Sequence, residues 1–240
     1  MTELLDIAIE AHGGWDRWQQ VEGMSAHVAV GGALWQLKGW PGVFADARAT
    51  IDTRRPQLTF GPLPERSRHT LFEGERVAIV GADGKEIESR SAPRQSFAGH
   101  EPSTPWDVLH LAYFTGYAMW GYLTAPFLFR NPGFEIEELA SWDENGQTWR
   151  RLKVLYPEGF HAHCREQVFY FDEKGLLRRN DYRVDIVNSG NTSAHYTSGE
   201  QEFGGIIFPT SRRVYPIGPD NRPITDRILV SIDIHSIELT

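Results

Sequence analysis

Cysteine is nearly missing from this chain. One residue, Cys164, stands among 240, so no internal disulfide can form and redox chemistry imposes no compartment. Positive charge is also in short supply. Lys and Arg number 24 against 32 Asp and Glu, a net charge of -8. That balance argues against nucleic acid, which asks for a basic face, and against an electrostatic hold on anionic lipid. The opening MTELLDIAIEAHGG carries acids where a secretory leader carries cations, and no long apolar run follows. A cytoplasmic protein is expected. There is no Gly-rich phosphate loop with a Lys, no G-x-S-x-G, no H-E-x-x-H and no C-x-x-C. No cofactor is expected. Neither an internal repeat nor a linker divides the chain, so residues 1–240 are expected to form a single domain.

What the chain has instead is aromatic mass: 13 Phe, 8 Tyr and 8 Trp. Aromatics fill β-rich cores and line pockets for apolar ligands. Residues 2–20 predict helix, with Thr2 as cap, Leu4, Leu5, Ala8, Ile9 and His12 on one face, and Gly13-Gly14 as a stop. Trp15, Trp18 and Val21 suggest a second short helix. Short strand-like runs follow, among them SAHVAVGG, ALWQLKGW, VFADARATIDT and PQLTFGP. Ala82-Asp83-Gly84, Asp143-Glu144-Asn145-Gly146 and Asp172-Glu173-Lys174-Gly175 read as hairpin turns. About ten to twelve antiparallel strands are expected. A sheet of that width cannot stay flat and curls into a barrel or half-barrel.

The stretch TPWDVLHLAYFTGYAMWGYLTAPFLF, residues 104–129, is the most apolar segment. Thr104 can cap a helix, Pro105 suits its first position, and Asp107 can close a capping box. The helix is expected to run to about Thr124. Trp106, His110, Tyr113, Tyr117 and Trp120 form one stripe at spacings of four, three, four and three. The length would just span a bilayer. Asp107, His110 and several hydroxyl groups make it a poor span, so a buried helix plugging the hollow of the sheet is expected. Its stripe would touch sheet or ligand. Asp107 is explained by capping; His110 is not explained by folding alone.

The segment GFHAHCREQVFYFDEKGLLRRNDYRVDIV, residues 159–187, carries the polar groups. A hairpin with Phe171 opposite Leu176 pairs Phe169 with Arg178, Gln167 with Asn180, Arg165 with Tyr182 and His163 with Val184. Side-chain alternation then puts Arg179, Asp181, Arg183 and Asp185 on a solvated face. The other face collects Phe169, Tyr182, Arg178, Asn180, Gln167, Arg165, His163 and His161, with His195 from the next strand. A one-residue slip would invert both faces. His161 and His163 on one strand face resemble half a metal site, but His195 lies two strands away, so no metal is expected. Cys164 reads as a buried structural thiol. Asp233 and His235 read as the exposed face of the last strand.

AHGGWDRWQQVEGMSAHVAVGG, with its Gly-Gly-x-x-x-Trp, and the later YFDEKGLLRRNDYRVDI…AHYTSGEQEFGGIIFPTSRRV, with Gly-x-x-Phe-Pro at Gly205 to Pro209, resemble the LolA/LolB/LppX-like half-barrel superfamily. The resemblance implies a strongly curved antiparallel sheet with helices covering a hollow that holds acyl chains. It implies no catalytic residues. Lacking a signal peptide, the chain looks like a cytoplasmic branch rather than a periplasmic lipid carrier.

The leading expectation is therefore binding of a hydrophobic small molecule between the sheet and the 104–124 helix. Trp106, Tyr113, Tyr117, Trp120, Arg165, Gln167, Phe169, Arg178 and Tyr182 are its candidate contacts. A cofactor-independent acid/base enzyme in the same cavity, an isomerase, cyclase or lyase, is the alternative. It would use His110 with Asp107, or His161, His163 and His195, for proton transfer. Arg178, Arg165 and Tyr182 would hold an oxyanion. A structural protein with a fully plugged hollow is the third possibility. Oligomeric state is not legible.

Overall fold

The computed structural model describes residues 2–64, 67–187 and 190–240. Among them thirteen strands form one antiparallel sheet. They are β1 Gly23–Gly31, β2 Ala47–Asp52, β3 Gln57–Gly61, β4 Arg68–Glu73, β5 Arg76–Gly81, β6 Glu86–Ser91 and β7 Glu135–Glu144. After these come β8 Gln147–Leu155, β9 Glu166–Phe171, β10 Leu177–Arg183, β11 Thr192–Phe203, β12 Ile206–Pro216 and β13 Val230–Leu239. The helices are α1 Glu3–Ala11, α2 Trp15–Trp18, α3 Ala33–Leu37 and α4 Val108–Thr124.

The sheet runs β6-β5-β4-β3-β2-β1-β13-β12-β11-β10-β9-β8-β7. The first and last strands pair in its middle. Edges β6 and β7 do not meet, so the sheet is a curved half-barrel and not a closed one. This order dictates where α4 goes. The chain leaves one edge after β6 and must reach the opposite edge at β7, so it crosses the whole concave face. The apolar helix lies on that crossing, against β3, β4 and β5. Gly116 lets it settle there: an added Cβ would stand 2.3 Å from Phe72 Cβ.

Strand alternation sorts the faces. In β1, Met24, Ala26, Val28 and Val30 are buried and their neighbours are half-buried. In β13, Ile232, Ile234 and Ile237 turn inward while His235 is exposed and Asp233 bonds Arg213 at 2.7 Å. The Asn145-Gly146 turn has φ of 53° and 77°, which suits the tight hairpin joining β7 to β8. The two turn motifs that carry the family resemblance touch each other. Gly13, at φ 118°, lies so close to Gly205 that an added Cβ would fall 2.2 Å from its carbonyl oxygen. Ile207 N donates to His12 O at 2.9 Å. The helical N-terminus is docked on the β11–β12 hairpin by these glycines.

Several expectations need correction. ALWQLKGW is not a strand: residues 33–37 form α3, because a short apolar run fits either period. In VFADARATIDT only Ala47–Asp52 is strand, Val43 and Phe44 being buried in the preceding turn. The strand RHTLFE, β4, escaped the sequence reading. Thr104 does not cap α4. Asp107 does, accepting from His110 N at 2.8 Å, and His110 Nδ1 accepts from Asp107 N at 3.2 Å. This is a capping box shifted by three residues, and it gives His110 the folding role the sequence withheld. The β9–β10 register also differs. Leu177 pairs with Phe171, then a bulge brings Arg179 opposite Tyr170 and Asn180 opposite Phe169. His161 and His163 lie in the loop before β9, not on a strand.

Candidate functional site

The hollow is not fully plugged. A cavity of about 380 Å³ lies between the sheet and α4. Its helical wall is Phe114, Thr115, Ala118, Met119 and Tyr122, the face next to the expected stripe. Its sheet wall includes Val30, Phe60, Val214 and Ile232. Leu37 of α3, 41% exposed, and Arg227 on the opposite loop stand at its walls as well.

One end of the cavity is polar. Tyr122 Oη lies 2.7 Å from His163 Nε2 and 2.7 Å from Tyr182 Oη. Tyr117 Oη lies 3.1 Å from His163 Nδ1. The His163 ring stacks on Tyr182, with centroids 4.1 Å apart and planes 6° apart. Burial, reinforced by the Arg94 cation, lowers the His163 pKa to about 3. The ring is thus neutral. Since a neutral imidazole has one donor and one acceptor nitrogen, one tyrosine donates to it and the other accepts from it. Burial pushes the Tyr117, Tyr122 and Tyr182 phenols upward, so all three stay protonated.

Behind Tyr122 and His163 lies a smaller chamber of about 30 Å³. Gln167 and Phe169 of β9, Asn180 of β10, His195 of β11 and Arg212 of β12 wall it. Ala118, Tyr122 and His163 line both voids. No Asp or Glu lines either one. Arg212 is 3% exposed and donates through Nη2 to Tyr122 O at 2.9 Å. That carbonyl needs a side-chain donor because its helical partner, four residues on, is Pro126.

The sequence-named residues divide among several places. His163 and Tyr182 reach the large cavity. Tyr117, His161, His163, Gln167, Phe169 and His195 wall the chamber. Tyr113 is buried and lines neither void, its Oη 3.0 Å from His161 Nδ1 and 3.3 Å from Arg94 Nη1. Burial lowers the His161 pKa. Trp106 packs on Phe97 and Phe114. Trp120 donates to Asp52 O at 2.8 Å. Neither lines a void among those described.

His110 and Asp107 are held elsewhere. His110 Nε2 meets Ser96 O at 3.2 Å, and Asp107 bonds Arg90 at 2.6 Å. Desolvation raises the Asp107 carboxyl, but hydrogen bonds from Arg90 and the His110 amide outweigh it and hold the pKa below the usual range. His110 therefore does not join His161, His163 and His195 at a common point. Arg165 is exposed and donates to Tyr156 O, and Arg178 is tied to Asp172 and Glu200. Neither reaches the cavity. Among the described residues no three His, Cys, Asp or Glu side chains converge on a metal position. Cys164 is buried, and its burial raises the thiol to about 11.

Tyr122 and Arg212 are among the site residues missed. Tyr122 continues the Phe114–Ala118 row by one more helical turn. Arg212 interrupts the inward alternation of Phe208 and Val214 in β12, and a charge at an inward position is the signal that could have found it.

No protein-family model matches the chain, and no curated protein matches it. Solved structures do. A LolA superfamily protein from Nitrosomonas europaea aligns over 99% of this chain and 92% of its own, at 9% identity and a TM-score of 0.53. A protein domain named for outer-membrane lipoprotein sorting, from Vibrio parahaemolyticus, covers 98% and 92% at 10% identity and a TM-score of 0.52. A DUF1329 family protein from Desulfovibrio piger covers 98% and 91% at 11% identity and a TM-score of 0.50. Identities this low speak for architecture alone, and on that evidence the chain has the LolA-like half-barrel fold.

Proposed function

We propose that this chain binds a hydrophobic small molecule in the cavity between the curved sheet and α4. The observation that carries the reading is the cavity itself: about 380 Å³, walled mainly by apolar side chains, with a tyrosine–histidine cluster at one end. That volume falls within the usual range for ligand pockets, roughly 300–1,000 Å³. The pairing of an apolar body with a few fixed hydrogen-bonding groups is how such pockets orient a guest. The likeness in fold to a domain named for lipoprotein sorting supports the same class of ligand. No helix among the described residues is long and apolar enough to cross a membrane. A cytoplasmic location belongs to this reading and is checked by cell fractionation.

Native mass spectrometry of the purified protein is expected to show a co-purifying apolar molecule, or uptake of one from a panel of neutral lipids. Ala118→Trp fills the cavity from the helix side and is expected to abolish that uptake. A clean ligand-free mass with no uptake from the panel would refute the proposal.

A second reading, acid/base catalysis without a cofactor, is favoured by one arrangement: the Tyr117–His163–Tyr122–Tyr182 hydrogen-bond chain at the cavity wall. A neutral imidazole relaying between two phenols, here those of Tyr117 and Tyr122, can polarise a carbonyl and shuttle a proton. His163, Tyr122 and Tyr182 carry this reading; His110 and Asp107 are committed to the cap. Chromatography of a bound ligand recovered after prolonged incubation distinguishes the two. Ligand recovered unchanged rejects catalysis and leaves binding intact.

A further inference from the structure

The chamber behind Tyr122 contains polar groups that the fold does not satisfy. His195 is 0% exposed, and neither its Nδ1 nor its Nε2 has a hydrogen-bond partner. Arg212 Nε is likewise buried without a partner. Unpartnered buried donors are rare and costly, and call for a bound group or ordered water. Both side chains wall the same void. Arg212 stands near enough to be among the charges that keep the His195 ring neutral, after burial itself.

Charge narrows the choice of occupant. Among the described residues Arg212 has no carboxylate partner, and no acid lines the chamber or the cavity beyond it. Its one arm on the Tyr122 carbonyl caps α4, and the helix C-terminus offers only part of a negative charge. Burial lowers its pKa to about 10, which still leaves it cationic at neutral pH. Water would satisfy the orphan nitrogens and leave that charge uncompensated. Size narrows the choice further. A water molecule needs about 10–15 Å³ of such space, so about 30 Å³ takes two oxygen atoms and not the four of a phosphate. Carboxylate and guanidinium form charge-assisted hydrogen bonds, the stronger kind.

We infer that this chamber binds a carboxylate, held by Arg212 and His195. The carboxylate is either the head of an apolar acid whose tail lies in the larger cavity, or a small free acid. The former source rests on the binding reading above. The two voids share Ala118, Tyr122 and His163 as their common wall, so a head reaching Arg212 from the cavity passes between these side chains.

The test compares decanoate, decanol and acetate by calorimetry at pH 8, on wild type and on Arg212→Met. Decanoate is expected to bind at least about tenfold more tightly than decanol to wild type, a difference of about 1.4 kcal/mol. Arg212→Met is expected to bring the two affinities together. That pattern assigns the site to a headgroup. Equal affinities for acid and alcohol, together with acetate binding that Arg212→Met removes, assign it to a free carboxylate. Equal affinities with no acetate binding mean a chamber holding water only, and overturn the inference while leaving the apolar-ligand proposal standing. Acetate binding without either ten-carbon ligand does the reverse. The acid–alcohol comparison needs wild type alone, so a variant that fails to fold does not decide the matter.

Discussion

His163 stands in the cavity wall as a neutral hydrogen-bond relay, and that neutrality makes it sensitive to acid. An imidazole in the unfolded chain titrates near 6.5; in the fold burial lowers it to about 3. Between those values the unfolded chain binds the extra proton, so stability falls as pH falls below 6.5. At pH 5 the loss from this one residue is about 2 kcal/mol. Urea unfolding at pH 7 and pH 5 should show it as a difference between wild type and His163→Gln, the variant having the shallower pH dependence. Burial depresses His12 and His195 in the same direction, so the variant keeps some slope. An unchanged slope on losing His163 would mean that the ring is not held neutral by burial. His110 was legible as odd because its partner, the Asp107 amide, is backbone, and a sequence displays no backbone donors.

Helix α4 was visible in the sequence through its apolar length and its stop before Pro126. Which face it would show to the cavity was not, because it is apolar almost all round and offers no moment to orient it. Its orientation came from contact with the sheet. Gly116 is the point of closest approach, where Phe72 occupies the space a side chain would need. In an exposed helix Gly→Ala gains about 1 kcal/mol. Here Gly116→Ala is expected to lower stability by about 1–3 kcal/mol through overpacking, with the ligand cavity altered in the same variant because the helix must move away from β4. A thermal melt at or above the wild-type temperature would contradict this placement of the helix. The β9–β10 hairpin shows the complementary limit. Its turn was legible from Asp172 to Gly175, but a bulge after Leu177 shifted the pairing by residues that no turn signal announces. The faces nevertheless kept their sides, Asn180 and Tyr182 turning to the voids; what changed is burial, for Arg179 and Asp181, read as solvated, are 0% and 7% exposed, with Glu144, Tyr196 and Asn221 bonded to Arg179.

That pair anchors an assembly on the outer side of the sheet. Arg179 bonds Asp181 at 2.6 and 2.9 Å, Glu144 at 2.9 Å and Asn221 O at 2.9 Å. Tyr170 and Tyr196 donate to the same two carboxylates. Strands β7, β9, β10 and β11 and the loop before β13 are thereby tied at one buried point, away from the cavity. Desolvation raises the Asp181 pKa despite the guanidinium beside it, so its charge depends on Arg179. Arg179→Ala leaves two buried carboxylates unpaired and is expected to cost about 3–5 kcal/mol in chemical denaturation. A loss no larger than that of an exposed ion pair such as Arg150–Glu138, about 0–1 kcal/mol, would show the cluster to be dispensable. Composition, turn residues and strand periodicity were enough to determine a wide antiparallel sheet, its need to curl, and an apolar helix to cover it, because these follow from local spacing and from burial of apolar area. The tertiary structure alone decided which charged groups are buried and what they meet there. Arg179 is buried on the outer face by Glu144, Tyr196 and Asn221 from other parts of the chain, and Arg212 is buried on the inner face beside Tyr122 of α4; such neighbours are a property of elements packed together, written in no one of them.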